Sequence, residues 1–129
     1  MDARIVADTD VIIDYFSRGH RAAASRVREL LESDTLVVTT ITLFELGCGV
    51  RSRDQEEDIG QLARAAASVL EIDHPSATEA ARIYRELKSR GQTIATPDLL
   101  IAGCCLVHAL PLLTRNVADF SRIRGLVLA

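Results

Sequence analysis

Four acidic residues stand in apolar stretches of the chain: Asp8, Glu45, Asp98 and Asp119. A carboxylate in such surroundings is costly unless it is paired or bound to a cation. Converging carboxylates suit Mg²⁺ or Mn²⁺, which prefer oxygen ligands and also engage phosphates. A cation held in this way activates water and polarises a phosphoryl oxygen, so the chemistry that these residues indicate is phosphodiester hydrolysis.

Each of these acids also has an ordinary structural explanation. Asp8 and Asp10 could cap a helix that begins beside them. Asp98 could stand near a helix N-terminus because the helix dipole favours negative charge there. Glu45 could face solvent, and an acid such as Asp119 is common near the start of a short helix. The pattern of residues alone leaves both explanations open, although the combination favours a metal site more than any single acid does.

The elements that would position these acids alternate between strands and helices. Strands are predicted at residues 4–7, 35–39, 68–72, 112–114 and 126–128. Alternation of this kind is typical of an α/β domain with a mainly parallel central sheet flanked by helices, whose sites lie at the carboxyl ends of the strands. Asp8 and Asp119 follow strands and Glu45 lies one helical turn beyond one, so these three acids are expected to share an edge of the sheet. The topology does not place Asp98.

Helices are predicted at residues 10–16, 22–32, 41–50, 55–67, 76–90, 96–108 and 117–120. The stretch from Ser76 to Glu79 matches a capping box, which predicts that the fifth helix begins at Ser76. Thr96 is expected to be the N-cap of the sixth helix, with Pro97 in its first turn.

Length and composition are those of an ordinary globular protein. The chain has 129 residues, of which 48% are hydrophobic and 26% charged, so we expect a single domain over residues 1–129 with one real core. No apolar run is long enough for a membrane span or a signal peptide, which predicts a cytoplasmic protein without membrane association. The three cysteines have neither disulfide nor zinc spacing and are expected to be small buried residues.

The charge balance counts weakly against general nucleic-acid binding, because the formal net charge is −3. Lys88 is the one lysine among 15 basic residues, and the others are arginines, which suit bidentate phosphate recognition. Four arginines near the acids are candidates for phosphate contacts: Arg18, Arg51, Arg53 and Arg115. Simple exposure for solubility explains each of them equally well, and Arg115 is the preferred candidate.

Four stretches of the chain resemble the motifs of PIN-domain proteins and occur in the family's order: Ile5–Asp14, Thr40–Gly49, Pro97–Ala102 and Leu113–Phe120. Within that family the chain is most similar to VapC-type toxins. The resemblance implies a three-layer α/β fold, dependence on Mg²⁺ or Mn²⁺, and endonucleolytic cleavage of RNA. It also implies the toxin role in a toxin–antitoxin pair, a cognate antitoxin protein as partner, and a homodimer.

The resemblance also assigns roles to individual residues. Asp8 and Asp98 correspond to the main metal-binding aspartates, and Glu45 to the acid that completes the metal shell or holds its water. Asp119 corresponds to the fourth acid. Together these are the expected catalytic residues.

Two further positions, Thr9 and Asn116, correspond to polar residues that line the same pocket. The chain departs from the family pattern at Asp10, where Asn is frequent, so this acid is either a further outer ligand or a helix cap. The fourth acid varies in the family between the positions of Asn116 and Asp119. Since Asn116 has no carboxylate, Asp119 is chosen.

Two rival interpretations remain. The sequence Asp8-Thr9-Asp10 after an apolar strand also resembles the start of haloacid-dehalogenase-type phosphatases, in which an aspartate is the nucleophile. That chemistry needs a later lysine and an acid pair, whereas the one lysine, Lys88, falls in an apparent surface helix. The second rival is a catalytically inactive binding module on the PIN fold, which the full set of acids disfavours.

Overall fold

The computed structural model describes residues 3–129, in which strands and helices alternate. The strands are β1 (Ile5–Ala7), β2 (Leu36–Thr39), β3 (Ser68–Leu70) and β4 (Leu112–Leu113). They form one sheet in the order β3-β2-β1-β4, and every pairing is parallel. The predicted α/β class with a parallel central sheet is therefore confirmed. Each strand runs in the same direction, so their carboxyl ends meet at one edge of the sheet.

Seven helices are formed by residues 3–129. They are α1 (Thr9–Ser17), α2 (Arg21–Glu32), α3 (Thr40–Cys48), α4 (Arg53–Ala65), α5 (His74–Ser89), α6 (Thr96–His108) and α7 (Val117–Phe120). None of them is both long and apolar enough to cross a bilayer.

The two faces of the sheet carry separate hydrophobic clusters, because successive strand residues point to opposite faces. Val6, Val37 and Leu112 pack with α5, α6 and α7 on one face. Their neighbours Ala7 and Leu113 pack on the other face with residues of α1 to α4. The result is a three-layer arrangement of helices, sheet and helices. Helices pack on both faces of the sheet, and polar side chains collect at its carboxyl edge.

The predicted N-terminal caps of α5 and α6 are wrong. The fifth helix begins at His74 and its N-cap is Asp73, whose Oδ1 accepts a hydrogen bond from the Ser76 N–H at 3.0 Å. Ser76 is therefore inside the helix and buried. The helix starts early because a proline follows His74, and proline is favoured in a first turn. Thr96 is the first residue of α6 and not its cap; Ala95 takes that position without a side-chain hydrogen bond.

The predicted last strand is reduced to a single bridge between Leu128 and Leu112. Gly125 lies just before it with a φ of +86°, a left-handed conformation that turns the chain. The helix predicted to begin at residue 55 begins at Arg53, because the Ser52 hydroxyl accepts the Gln55 N–H at 3.2 Å and caps it. The prediction of three buried cysteines is wrong for Cys48, which is exposed.

Candidate active site

Asp8 and Thr9 are placed by the junction of β1 and α1. Asp8 leaves the sheet in an extended conformation and is the N-cap of α1, with its Oδ1 accepting the Thr9 N–H at 2.8 Å. Its other oxygen accepts the Thr114 hydroxyl at 2.7 Å, and the residue is only 5% exposed. The capping explanation of Asp8 is therefore correct, but it accounts for only one of the two carboxylate oxygens.

Glu45 is joined to this junction through Thr9. The Thr9 hydroxyl donates to Glu45 Oε1 at 2.7 Å and also lies 2.9 Å from the Thr42 hydroxyl. Thr42 and Glu45 are both on α3, which follows β2 at the same edge of the sheet. Glu45 is half-buried rather than solvated. Glu45 therefore does not simply face solvent, because one of its carboxylate oxygens accepts the hydroxyl of a threonine of α1.

The segment Thr114–Asn116, between β4 and α7, joins the remaining acids. The Arg115 N–H donates to Asp10 Oδ2 at 3.0 Å, and the Thr114 hydroxyl lies 3.4 Å from the same oxygen. The Asn116 amide donates to Asp119 at 3.0 Å and to Asp98 at 3.5 Å. Asp98, which the predicted topology left unplaced, is therefore brought to this edge by α6 and tied to it by Asn116.

Five carboxylates thus belong to one cluster, which we call the acidic site: Asp8, Asp10, Glu45, Asp98 and Asp119. Burial raises the pKa of Asp8 to about 7, with a further contribution from the nearby Asp10, although hydrogen bonds from Thr114 and Thr9 oppose the shift. Burial also raises the pKa of Asp98, followed by repulsion from Glu45, Asp119 and Asp10. Such mutual repulsion identifies a site at which negative charge is concentrated.

The residues of the acidic site fit a hard divalent cation in two respects. The ligand atoms available are carboxylate oxygens, which Mg²⁺ and Mn²⁺ prefer. Asp10 Oδ1 is buried and has no hydrogen-bond partner, although buried oxygens are normally satisfied. No three His, Cys, Asp or Glu side chains among residues 3–129 are already arranged as a metal-ligand set. The fit therefore rests on donor chemistry and on an unsatisfied oxygen, not on preformed coordination.

Arg115 does not extend freely toward a ligand. Its guanidinium binds Asp14 through two hydrogen bonds, from Nε to Oδ2 at 2.7 Å and from Nη2 to Oδ1 at 3.2 Å. Asp14 was not among the predicted site residues. A signal for it was present, since Asp14 stands between Ile13 and Tyr15, in the same apolar company that identified the four selected acids.

The other candidate arginines lie at the surface. Arg18, Arg51 and Arg53 are exposed. Arg18 lines an open groove of about 800 Å³ between α1, α2 and α4, beside Arg21 and other residues of α2. Phosphate contact by these three arginines stays a prediction. A smaller groove of about 480 Å³ is lined by Glu45 together with other residues of α1, α3 and α4 and of the loop between α3 and α4.

Known proteins are similar to this chain in sequence, and solved structures are similar to it in fold. Ribonuclease VapC1 of Methanocaldococcus jannaschii is 30% identical over 95% of this chain and 83% of its own length. The tRNA(fMet)-specific endonuclease VapC of Shigella flexneri is 28% identical over 95% of this chain and 94% of its own. A chain of a solved toxin–antitoxin complex from Klebsiella pneumoniae superposes with a TM-score of 0.74 at 28% identity, covering 95% of each chain.

The family model for the PIN domain matches residues 5–126, which include all five residues of the acidic site. The match spans every strand of the sheet and all seven helices that residues 3–129 form. The resemblance inferred from the four motifs is confirmed, and this chain belongs to the PIN domain family.

Proposed function

We propose that this chain is a metal-dependent endoribonuclease and the toxin component of a toxin–antitoxin pair. The observation that carries the proposal is the crowding of five carboxylates at the carboxyl edge of a PIN-domain sheet, where the pKa of Asp8 is raised to about 7. Relatives that match nearly the whole chain are named as ribonucleases. A dense negative site on a nuclease fold needs a cation before it can approach an RNA phosphate.

In this proposal Asp8 and Asp98 bind Mg²⁺ or Mn²⁺, while Glu45 and Asp119 complete the catalytic set. The bound cation supplies Lewis acidity and the activation of water for phosphodiester hydrolysis. The protein supplies the positions of the carboxylates. The Thr114 hydroxyl holds one oxygen of Asp8.

Neighbouring polar groups support the other acids in the same manner. The Thr9 hydroxyl orients Glu45. The amide of Asn116 donates to both Asp98 and Asp119 and so links two carboxylates from different helices. Groups that orient ligands in this way affect metal affinity and activity although they do not bind the metal themselves.

A cognate antitoxin protein, RNA as substrate and a homodimer in the cytoplasm complete the proposal. The Klebsiella pneumoniae relative is part of a toxin–antitoxin complex, which supports an antitoxin partner here. Large apolar side chains at the surface, such as Phe44 at 69% exposure and Ile13 at 50%, are compatible with a protein partner or a second copy.

The test is cleavage of RNA by purified protein in Mg²⁺, in Mn²⁺ and in EDTA. The substrate pool should contain a tRNA fraction as well as messenger and ribosomal RNA, since one relative is named for a tRNA. Asp8→Asn and Asp98→Asn keep the side-chain shape and remove the charge that holds a cation. We expect the cleavage rate of both variants to fall by more than about 100-fold. Substitution of residues that only support metal ligands already lowers metal affinity or activity about 10–100-fold.

Glu79→Gln provides the matched control, because this glutamate is on α5 and is paired with Arg82. It should cleave as the wild type does. Cleavage that survives EDTA, or that is equal in the Asp8 and Asp98 variants, would contradict a metal-dependent nuclease. A wild type that cleaves no RNA but hydrolyses phosphomonoesters would favour the phosphatase, and one that does neither would favour an inactive binding module.

A further inference from the structure

Asp14 is a buried carboxylate on α1 that is not a member of the acidic site. It is 4% exposed and accepts three hydrogen bonds, two from the Arg115 guanidinium and one from the His20 N–H at 3.1 Å. Burial opposes its ionisation, but the hydrogen bonds and positive charge of Arg115 outweigh burial and lower the pKa of Asp14. The two residues are 101 positions apart in the chain, so the pair fastens β4 and its following loop to α1.

Arg115, which binds Asp14, is the middle residue of the segment Thr114–Asn116, whose donors contact the acidic site. Thr114, Arg115 and Asn116 are consecutive, and together they donate hydrogen bonds to Asp8, Asp10, Asp98 and Asp119. The Thr114 hydroxyl in turn accepts the Asn116 N–H at 3.0 Å, which fixes the turn of this segment. A shift of the segment would therefore move its donors relative to four carboxylates from three helices at once.

We propose that the Asp14–Arg115 pair is a positioning pair, which locks the segment Thr114–Asn116 against α1 and thereby sets the spacing of the carboxylates in the acidic site. The proposal rests on the proposed function, because that function gives the spacing its purpose. It assigns Arg115 a role different from phosphate contact. A guanidinium that binds one buried carboxylate through two parallel hydrogen bonds has a fixed geometry, which a lysine cannot reproduce.

Gly19 provides independent support for a tightly fitted pair. A Cβ at this position would lie 2.8 Å from Asp14 Oδ1, closer than real Cβ contacts allow, and a tight 3.3 Å from the Ser17 hydroxyl. Asp14 is short and held by three donors, so it could not yield without breaking a hydrogen bond. Glycine at position 19 is therefore what lets the loop after α1 close over the carboxylate. Gly19→Ala disturbs the pair without removing either charge.

The competing role for Arg115 is direct contact with an RNA phosphate, since its side chain is 48% exposed. The two roles predict different kinetics. A phosphate contact raises KM, and its loss adds to the loss caused by Asp14→Asn. A positioning pair lowers kcat, and the double variant Asp14→Asn with Arg115→Ala loses no more than the worse single variant, because either change alone breaks the pair.

The experiment measures three properties of Asp14→Asn, Arg115→Ala, Arg115→Lys, Gly19→Ala and the double variant. They are RNA cleavage, Mn²⁺ affinity by calorimetry, and amide hydrogen exchange of Arg115 and Asn116 by NMR in the metal-free protein. Arg82→Gln on α5 is the matched control, since it removes an arginine from an exposed carboxylate pair. Asp14→Asn keeps the shape of the side chain and the bond from His20, which guards against simple unfolding.

We expect kcat and Mn²⁺ affinity to fall about 10- to 100-fold in Asp14→Asn and Arg115→Ala, with less loss in Arg115→Lys and Gly19→Ala. The Arg115 and Asn116 amides should exchange about tenfold faster while amides of the sheet stay protected. Unchanged exchange overturns the proposal, whatever the cleavage assay gives. Additive losses with a raised KM overturn it in favour of phosphate contact. A wild type that cleaves no RNA refutes the proposed function, while exchange still decides whether the pair holds the segment.

Discussion

Acidic side chains are used in two opposite ways in this molecule. On α5, Glu79 and Glu86 are paired with arginines: Arg82 donates to both, and Arg90 and Arg124 also lie within 3.5 Å of Glu86. We call these residues the α5 ion-pair cluster. At the acidic site, by contrast, Asp8 and Asp98 lie among other carboxylates, and burial together with repulsion from these neighbours raises the pKa of both. The same residue type is neutralised by partners in one place and crowded together in the other.

The difference shows what each region contributes to the molecule. Exposed ion pairs on a helix add at most a little stability, and charged side chains there keep the surface soluble. Crowded, buried carboxylates destabilise the folded chain unless a cation or a proton joins them. A fold that keeps Asp8 at 5% exposure beside Asp10 therefore carries an energetic cost at neutral pH in the metal-free state. Carboxylates whose pKa is raised by burial and by neighbouring negative charge concentrate at functional sites.

The largest expected effect is a fall in the stability of the metal-free protein as pH rises from about 4 to 8. The pKa of Asp8 is about 7 when folded, against 3.8 for an unperturbed aspartate. Above pH 4 the unfolded chain releases this proton before the folded chain does, so the free energy of unfolding decreases until the pH passes about 7. A shift of this size corresponds to at most about 4 kcal/mol. Asp98 acts in the same direction.

Urea unfolding in EDTA at several pH values measures this slope. Asp8→Asn has no proton to lose, so its stability should vary less with pH and should exceed that of the wild type at pH 8. A wild type and an Asp8→Asn variant with parallel pH profiles would contradict the raised pKa of Asp8.

A somewhat smaller effect is expected from adding Mn²⁺ to the wild type. Binding to the folded chain alone adds about 2.7 kcal/mol when the free cation is at 100 times its Kd. The gain should be larger at pH 8 than at pH 5.5, because the cation competes with the proton on Asp8. A calorimetric melt of wild type and Asp98→Asn, with and without Mn²⁺, measures it. An equal gain in the variant would place the cation outside the acidic site.

The architecture of the acidic site could largely be predicted because short-range sequence features determine it. Apolar runs such as Ile5–Ala7 specify strands, and an acid directly after a parallel strand is delivered to the carboxyl edge of the sheet. Asp8 needed no more than this, and Glu45 needed only one further helical turn, in the helix that follows β2. Asp98 needed a contact with Asn116 across 18 residues, which no local pattern indicates, and only the family resemblance included it.

The remaining details depend on interactions between distant residues. The Asp14–Arg115 pair joins α1 to the loop after β4, and neither residue's neighbours in sequence reveal the other. The start of α5 was misplaced because two capping signals compete there, and Asp73 before a proline prevails over the box at Ser76. Local rules rank such alternatives poorly when both satisfy the same backbone donors.

The smallest expected effect comes from the α5 ion-pair cluster and tests the other half of the comparison. Glu86 is the acceptor shared by three arginines, with its side chain 27% exposed. Glu86→Gln keeps the shape and removes the charge, so it should lower the free energy of unfolding by about 0.5–1 kcal/mol. The loss of stability should be smaller in 1 M NaCl, where the Debye length is about 3 Å and charges are strongly screened. Urea unfolding at low and high salt measures both values.

Because repulsion among the acids of α5 is already relieved by arginines, neither Mn²⁺ nor a pH change between 5 and 8 should alter the effect of the Glu86→Gln substitution. A loss as large as the pH-dependent change at the acidic site would contradict the small contribution to stability that is expected of these ion pairs.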